Sequence, residues 1–244
     1  MAELIEGIEE VEVGRTSVRA PDGKVIDAIH ARPLGMPQWG IVVHPDIFGL
    51  RPLFEDLARR LATHGHAVVV VEPFASVPAP ERAALTVEDR FALVPGLEDE
   101  RALGALAAAA DLLVVEDGVA RVAVLGFCMG GLYALKAAGA DRFDRAISCY
   151  GMIRVPEAWR GPALAEPLPG LVHGCPTLAI IGGLDHWTPT ADVDALRSAL
   201  GAVPGSEVVV YPEADHGFLH DPSRPAHRGD DAADAWRRIL AFLD

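Results

Sequence analysis

Apolar residues along this chain follow two patterns, and their alternation predicts the architecture. Residues 11–19 and 25–31 alternate apolar and polar positions and are joined by Pro21-Asp22-Gly23, which predicts an antiparallel hairpin. After the 33–38 loop the pattern changes. Uninterrupted apolar runs rich in Val and Ile lie at 39–43, 67–71, 122–125, 145–149, 177–181 and 207–211, and most are followed by longer segments of helical spacing, at 50–64, 99–115, 129–138, 191–200 and 230–243. A strand that is apolar throughout is buried on both faces. These runs therefore predict a mostly parallel central sheet flanked by helices, an α/β fold preceded by the hairpin. Two Pro-rich stretches, 72–80 and 155–169, carry neither period, and long loops after strands of such a sheet usually build the ligand pocket. No repeat or linker interrupts the 244 residues, so residues 1–244 are expected to form one domain.

Composition narrows the partners. The chain is 50% apolar and 23% charged, with ample material for a core and no mark of disorder. With 21 Lys and Arg against 35 Asp and Glu, its net charge of −14 lacks the electropositive footprint that nucleic acid or an anionic membrane requires. A small-molecule ligand is expected, with the protein a monomer or small homo-oligomer. Cys128, Cys149 and Cys175 are far apart and form no CxxC pair, so neither a disulfide framework nor a zinc module is expected. The acidic N-terminus has no signal-peptide pattern, and no apolar run is long enough to span a bilayer, which predicts a cytoplasmic protein.

Chemistry concentrates at 122–131, where an apolar strand runs into Gly126-Phe127-Cys128-Met129-Gly130-Gly131 and then a helical segment. This is a nucleophile elbow with Cys in place of Ser. Gly126 and Gly130 are required because side chains there would collide across the turn, while the helix N-terminus favours a thiolate at Cys128. A cysteine nucleophile needs a base, and the base needs an orienting acid. Asp185 follows the strand at 177–181, and His216 follows the last strand, in the order nucleophile, acid, base. Cys128 would attack an acyl carbon, His216 would carry its proton, and Asp185 would fix the imidazole tautomer. Taken singly, Asp185 reads equally well as a turn or cap residue, Asp215 is a rival carboxylate, and His216 alone reads as a surface residue. Their joint order selects them.

The backbone N–H groups of Met129 and Ile47 are the expected oxyanion donors, Ile47 lying in the loop His44-Pro45-Asp46-Ile47-Phe48-Gly49 after the strand at 39–43. Asp46 in that loop is a candidate to gate the thiol or position substrate, or else to cap the next helix, and Phe48 is a candidate substrate contact. Trp159 and Trp187, in or beside pocket loops, are further candidates, whereas Trp236 reads as a core anchor. Cys149 and Cys175 read as packing. No metal is expected: His64 and His66 fall at a helix-to-strand turn and read as surface residues, and His216, His220 and His227 lack ligand spacing.

These motifs together resemble the dienelactone hydrolase family of α/β hydrolases, cysteine-dependent esterases, over nearly the whole chain. The resemblance rests on the Asp46-Ile-Phe-Gly loop, the elbow, the 182–185 turn, the Asp215-His-Gly-Phe segment and the final helix around Trp236. It implies hydrolysis of a small ester or lactone through an acyl-thioester, without cofactor, by Cys128, His216 and Asp185. A thioesterase or acyl transferase on the same fold, or a non-catalytic binding protein that kept the pocket, are the alternatives. Two departures stand out. The loop acid, typically Glu in the family, is Asp46 here. The places of two substrate-binding arginines are taken by Phe74-Ala75-Ser76 and His220, which predicts a preference for neutral substrates unless Arg51, Arg90 or Arg224 reaches the site from another loop.

Overall fold

The computed structural model describes residues 4–244, and its eight-stranded sheet follows the two patterns read above. Strands β1 (Val11–Arg19) and β2 (Val25–Pro33) pair antiparallel with Arg19 opposite Val25, closed by a turn in which the Gly23 N–H donates to Ala20 O at 2.8 Å. Next come β3 (Trp39–His44), helix α1 (Pro52–Thr63) and β4 (His66–Val71). Helix α1 starts two residues later than its apolar spacing predicts, because Pro52 supplies a preset first helical residue and Arg51 stays extended. Its buried stripe, Phe54, Leu57, Ala58 and Leu61, covers one face of the sheet.

Between β4 and the long helix α4 (Asp99–Glu116), the chain forms two short helices, α2 (Ala79–Arg82) and α3 (Val87–Leu93), and a 3-10 turn at Val94–Gly96. The expected loop at 72–80 thus runs into α2. Helix α3 is held by a capping box in which the Thr86 hydroxyl accepts from Asp89 N while the Asp89 carboxylate accepts from Thr86 N. There follow β5 (Val122–Phe127), α5 (Met129–Ala138), β6 (Arg145–Cys149), a 3-10 turn at Glu157–Trp159, α6 (Leu168–Leu171) and β7 (Thr177–Gly182). Helix α7 (Thr190–Leu200), β8 (Glu207–Tyr211) and α8 (Gly229–Leu243) complete the chain.

The strand order is β1-β2-β4-β3-β5-β6-β7-β8, with every neighbouring pair from β4 onward parallel. Strands β3, β4, β5 and β7 are buried along their whole length, as their uninterrupted Val and Ile runs require. Strand β5 lies between β3 and β6, and the strand order reverses at its boundary with β3, the place where open parallel sheets bind ligands beyond the strands' C-terminal ends. Loops after β3, β5, β6, β7 and β8 converge on that end. Among the described residues, no helix is long and apolar enough to cross a membrane.

Candidate active site

Strand β5 delivers Cys128 at a sharp turn into α5, with φ 57° and ψ −118°, a conformation that costs a residue with a Cβ about 1–3 kcal/mol. Close packing forces this turn. A Cβ built on Gly126 would lie 1.9 Å from Gly130 O, and one on Gly130 would lie 2.1 Å from His44 O. The sulfur-bearing residue is 9% exposed and stands at the N-terminus of α5, where the helix dipole favours an anion.

Strand β7 ends at Gly182, and Asp185 follows in a turn where its Oδ1 accepts the Trp187 N–H at 2.9 Å. Its Oδ2 lies 2.8 Å from His216 Nδ1, and its side chain is fully buried. An ionised carboxylate only accepts, so His216 carries a proton on Nδ1 and turns Nε2 away from Asp185. Asp215, the rival acid, is exposed and accepts the backbone N–H of His216 through Oδ1 at 2.6 Å. Nε2 is buried without a hydrogen-bond partner among the described residues, yet Cys128 is near enough to act on its charge. Burial opposes protonation of this imidazole. The electrostatic effect of the neighbouring Cys128 and the bond to Asp185 outweigh it and raise the imidazole pKa to about 10.

The loop after β3 brings Ile47 to the same end of the sheet, and among the described residues its N–H makes no hydrogen bond. Met129 opens α5, where the first backbone N–H groups have no partner within the helix. Asp46 sits differently from the expectation of a thiol gate. Its Oδ1 accepts from Phe48 N at 3.0 Å and Arg51 Nη1 at 2.6 Å, while Oδ2 accepts from Arg51 Nη2 at 2.8 Å and His220 Nε2 at 3.0 Å. All four of its acceptor positions are filled by groups other than Cys128. Burial alone would push this carboxyl up, but bonds from His220 and Arg51 hold it well below the usual carboxylate range.

Aromatic side chains wall one side. Trp187 is half-buried with its ring 6.5 Å from that of His216, and Trp159 packs behind it at 5.6 Å. Phe91 of α3 completes the group at 5.8 Å from Trp159 and 6.5 Å from Trp187. Phe48 is 41% exposed with Arg51 stacked over its ring. Trp236 packs in the core against Phe127, as expected. His66, expected at the surface, is buried in β4, because the strand begins one residue before its first aliphatic position. Asp185, His186 and Asp215 hold side-chain oxygen or nitrogen atoms within 4.8 Å of one another, but the carboxylates of Asp185 and Asp215 already bind His216 and its backbone.

One of the three arginines, Arg224, is placed beside His216, which bears on the ground for expecting neutral substrates. Arg51 is committed to Asp46, but Arg90 of α3 lies over the Phe74 ring at 5.5 Å with a buried Nη1 that has no partner among the described residues. Arg224 lays its guanidinium against Gly217, beside His216, and forms no ion pair among the described residues. Each comes from a position other than the two where the resemblance places an arginine. Arg90 arrives on α3, a helix that hydrophobic period alone does not reveal in seven residues; the Thr86-x-x-Asp89 capping box was its signal.

Comparison with known proteins places these features in a wider set. Residues 26–244 match the model of the dienelactone hydrolase family. A protein of Escherichia coli O157:H7 named "Putative carboxymethylenebutenolidase" is 30% identical over 240 residues, spanning 96% of this chain and 88% of that one. A carboxymethylenebutenolidase of Rhodococcus opacus is 30% identical over 216 residues, 84% of this chain and 80% of its own. The crystal structure titled "Putative Dienelactone Hydrolase" from Klebsiella pneumoniae superposes with a TM-score of 0.86 at 29% identity, covering 96% of this chain and 98% of that one.

Proposed function

The chain belongs to the dienelactone hydrolase family, and from that premise we propose that it hydrolyses small esters or lactones through a Cys128-His216-Asp185 triad and an acyl-thioester, without a cofactor. The single observation that carries this reading is the 2.8 Å bond from His216 to a fully buried Asp185, with Nε2 turned away from that bond and in charge contact with Cys128 at a strained elbow. In the first half-reaction the Cys128 thiolate adds to the carbonyl carbon, and the carbonyl π pair moves to oxygen, where the Ile47 and Met129 N–H groups hold it. Collapse expels the alkoxide, which takes the proton from His216 Nε2. For a lactone the alcohol stays tethered to the acyl group. Water then adds to the thioester as His216 removes its proton, and collapse returns the thiolate and imidazolium.

Arg224, beside His216 and without an ion-pair partner among the described residues, extends this reading to substrates that bear a carboxylate, the group the name carboxymethylenebutenolidase specifies in the relatives. Selectivity, taken as kcat/KM for a carboxylate-bearing lactone over that for its neutral methyl ester, is expected to fall by about 10-fold in Arg224→Gln, since a charge-assisted contact is lost from one substrate only. An unchanged ratio would return the expectation to neutral substrates. Absence of turnover on both substrates in the unsubstituted protein would reject hydrolysis itself.

A further inference from the structure

Arg51, Asp46, His220 and Tyr150 form a buried hydrogen-bonded chain that the steps above do not use. Asp46 and His220 have no exposed side-chain surface, and Tyr150 is likewise fully buried. Since the Asp46 carboxylate only accepts, His220 carries its proton on Nε2, and its Nδ1 accepts from the Tyr150 hydroxyl. His220 is packed by rings on several sides, with Phe127 stacked at 5.0 Å and Phe54 at 5.7 Å. Burying an ionised carboxylate is costly, and this one is retained with every acceptor position satisfied.

The connectivity says what such a chain can do. Asp46 and Ile47 belong to the loop after β3, Tyr150 opens the segment after β6, and His220 lies four residues beyond His216 in the loop after β8. Asp46 also accepts the Phe48 N–H through Oδ1 and the Gly49 N–H through its own carbonyl, both at 3.0 Å, so its carboxylate sets the turn that carries Ile47. Tyr150 holds a left-handed φ of 39° at that point, which only a fixed neighbourhood sustains. We propose that the Arg51-Asp46-His220-Tyr150 chain is a clamp that holds the Ile47 N–H at the oxyanion position by tying its loop to the loops that carry Tyr150 and His216, with His220 as the positioning residue. The clamp rests on the function proposed above, because it acts on a developing oxyanion. It leaves the thiol's own reactivity alone.

That separation supplies the test. Alkylation of Cys128 by iodoacetamide needs the thiolate but builds no oxyanion, whereas hydrolysis of p-nitrophenyl acetate needs both. In His220→Phe, a ring that fits among its aromatic neighbours without either hydrogen bond, kcat is expected to fall by about 30-fold or more, with KM and the alkylation rate within about 3-fold of the unsubstituted enzyme. His220→Gln, whose amide can donate to Asp46, is expected to recover part of that kcat. Tyr150→Phe removes one hydroxyl and keeps the ring, so it carries the same split at smaller amplitude should His220→Phe fail to fold. Parallel losses of alkylation and hydrolysis, or an unchanged kcat, would overturn the clamp. If the unsubstituted enzyme neither turns over ester nor reacts at Cys128, the triad fails instead and takes the clamp with it.

Discussion

Cys128→Ala is expected to lower kcat/KM for p-nitrophenyl acetate by at least about 10³-fold while the protein still folds, because in the proposed mechanism the residue supplies the attacking atom and the substitution removes only sulfur from a site already 9% exposed. His216→Ala should cost a similar factor, and the double variant little more than either, since the two act as a unit. Asp185→Asn is expected to cost as much or less, about 10²- to 10⁴-fold, by misdirecting the imidazole proton. Cys128→Ala also removes the leading charge that opposes burial at His216, so the imidazole should lose its proton at lower pH than the value of about 10 that it has beside sulfur. In the unsubstituted enzyme this raised value stabilises the fold fully below the ordinary 6.5, and that contribution is lost as pH rises toward 10. Thermal melts across pH 6 to 10 should therefore show a steeper alkaline decline for the unsubstituted enzyme than for Cys128→Ala. Full activity in Cys128→Ala would remove the mechanism.

Gly126→Ala should damage the fold as well as the site. The added methyl would lie 1.9 Å from Gly130 O and 2.3 Å from Gly130 C, both backbone atoms at the start of α5, and no side-chain rotation relieves an overlap of backbone. Either the elbow opens, moving Cys128 from the end of β5, or strand and helix part. A loss of about 3–5 kcal/mol, seen as a fall in Tm of roughly 10 °C or more, is expected, together with activity near that of Cys128→Ala. A Gly126→Ala protein with unchanged Tm and activity would show that the turn tolerates a Cβ and that its close packing is not what sets the nucleophile.

Local patterns in the chain made the sheet and the elbow legible. Strands buried on both faces announce themselves as Val and Ile runs, and Gly126, Cys128 and Gly130 sit where a strand pattern meets a helical one. Asp185 and His216 are singled out by their order after later strands, and the fold joins them at 2.8 Å. What escaped has no local signature. The bond between Asp46 and His220 joins residues 174 apart, and that between Tyr150 and His220 residues 70 apart, so no spacing rule links them. Asp46 shows the consequence: its loop position pointed to the thiol, but Arg51 and His220 occupy its oxygens. Arg224 illustrates the same limit, because only the folded loop lays it on Gly217 beside His216.

The central claim is that acyl groups pass through the sulfur of Cys128. Intact-protein and peptide mass spectrometry of enzyme quenched in acid during turnover of p-nitrophenyl acetate tests it most directly. One acetyl group per chain is expected, carried on the peptide containing Cys128, released on return to neutral pH, and absent from Cys128→Ala. Steady turnover with no acyl group on Cys128, or undiminished turnover after Cys128 has been stoichiometrically alkylated, would contradict it.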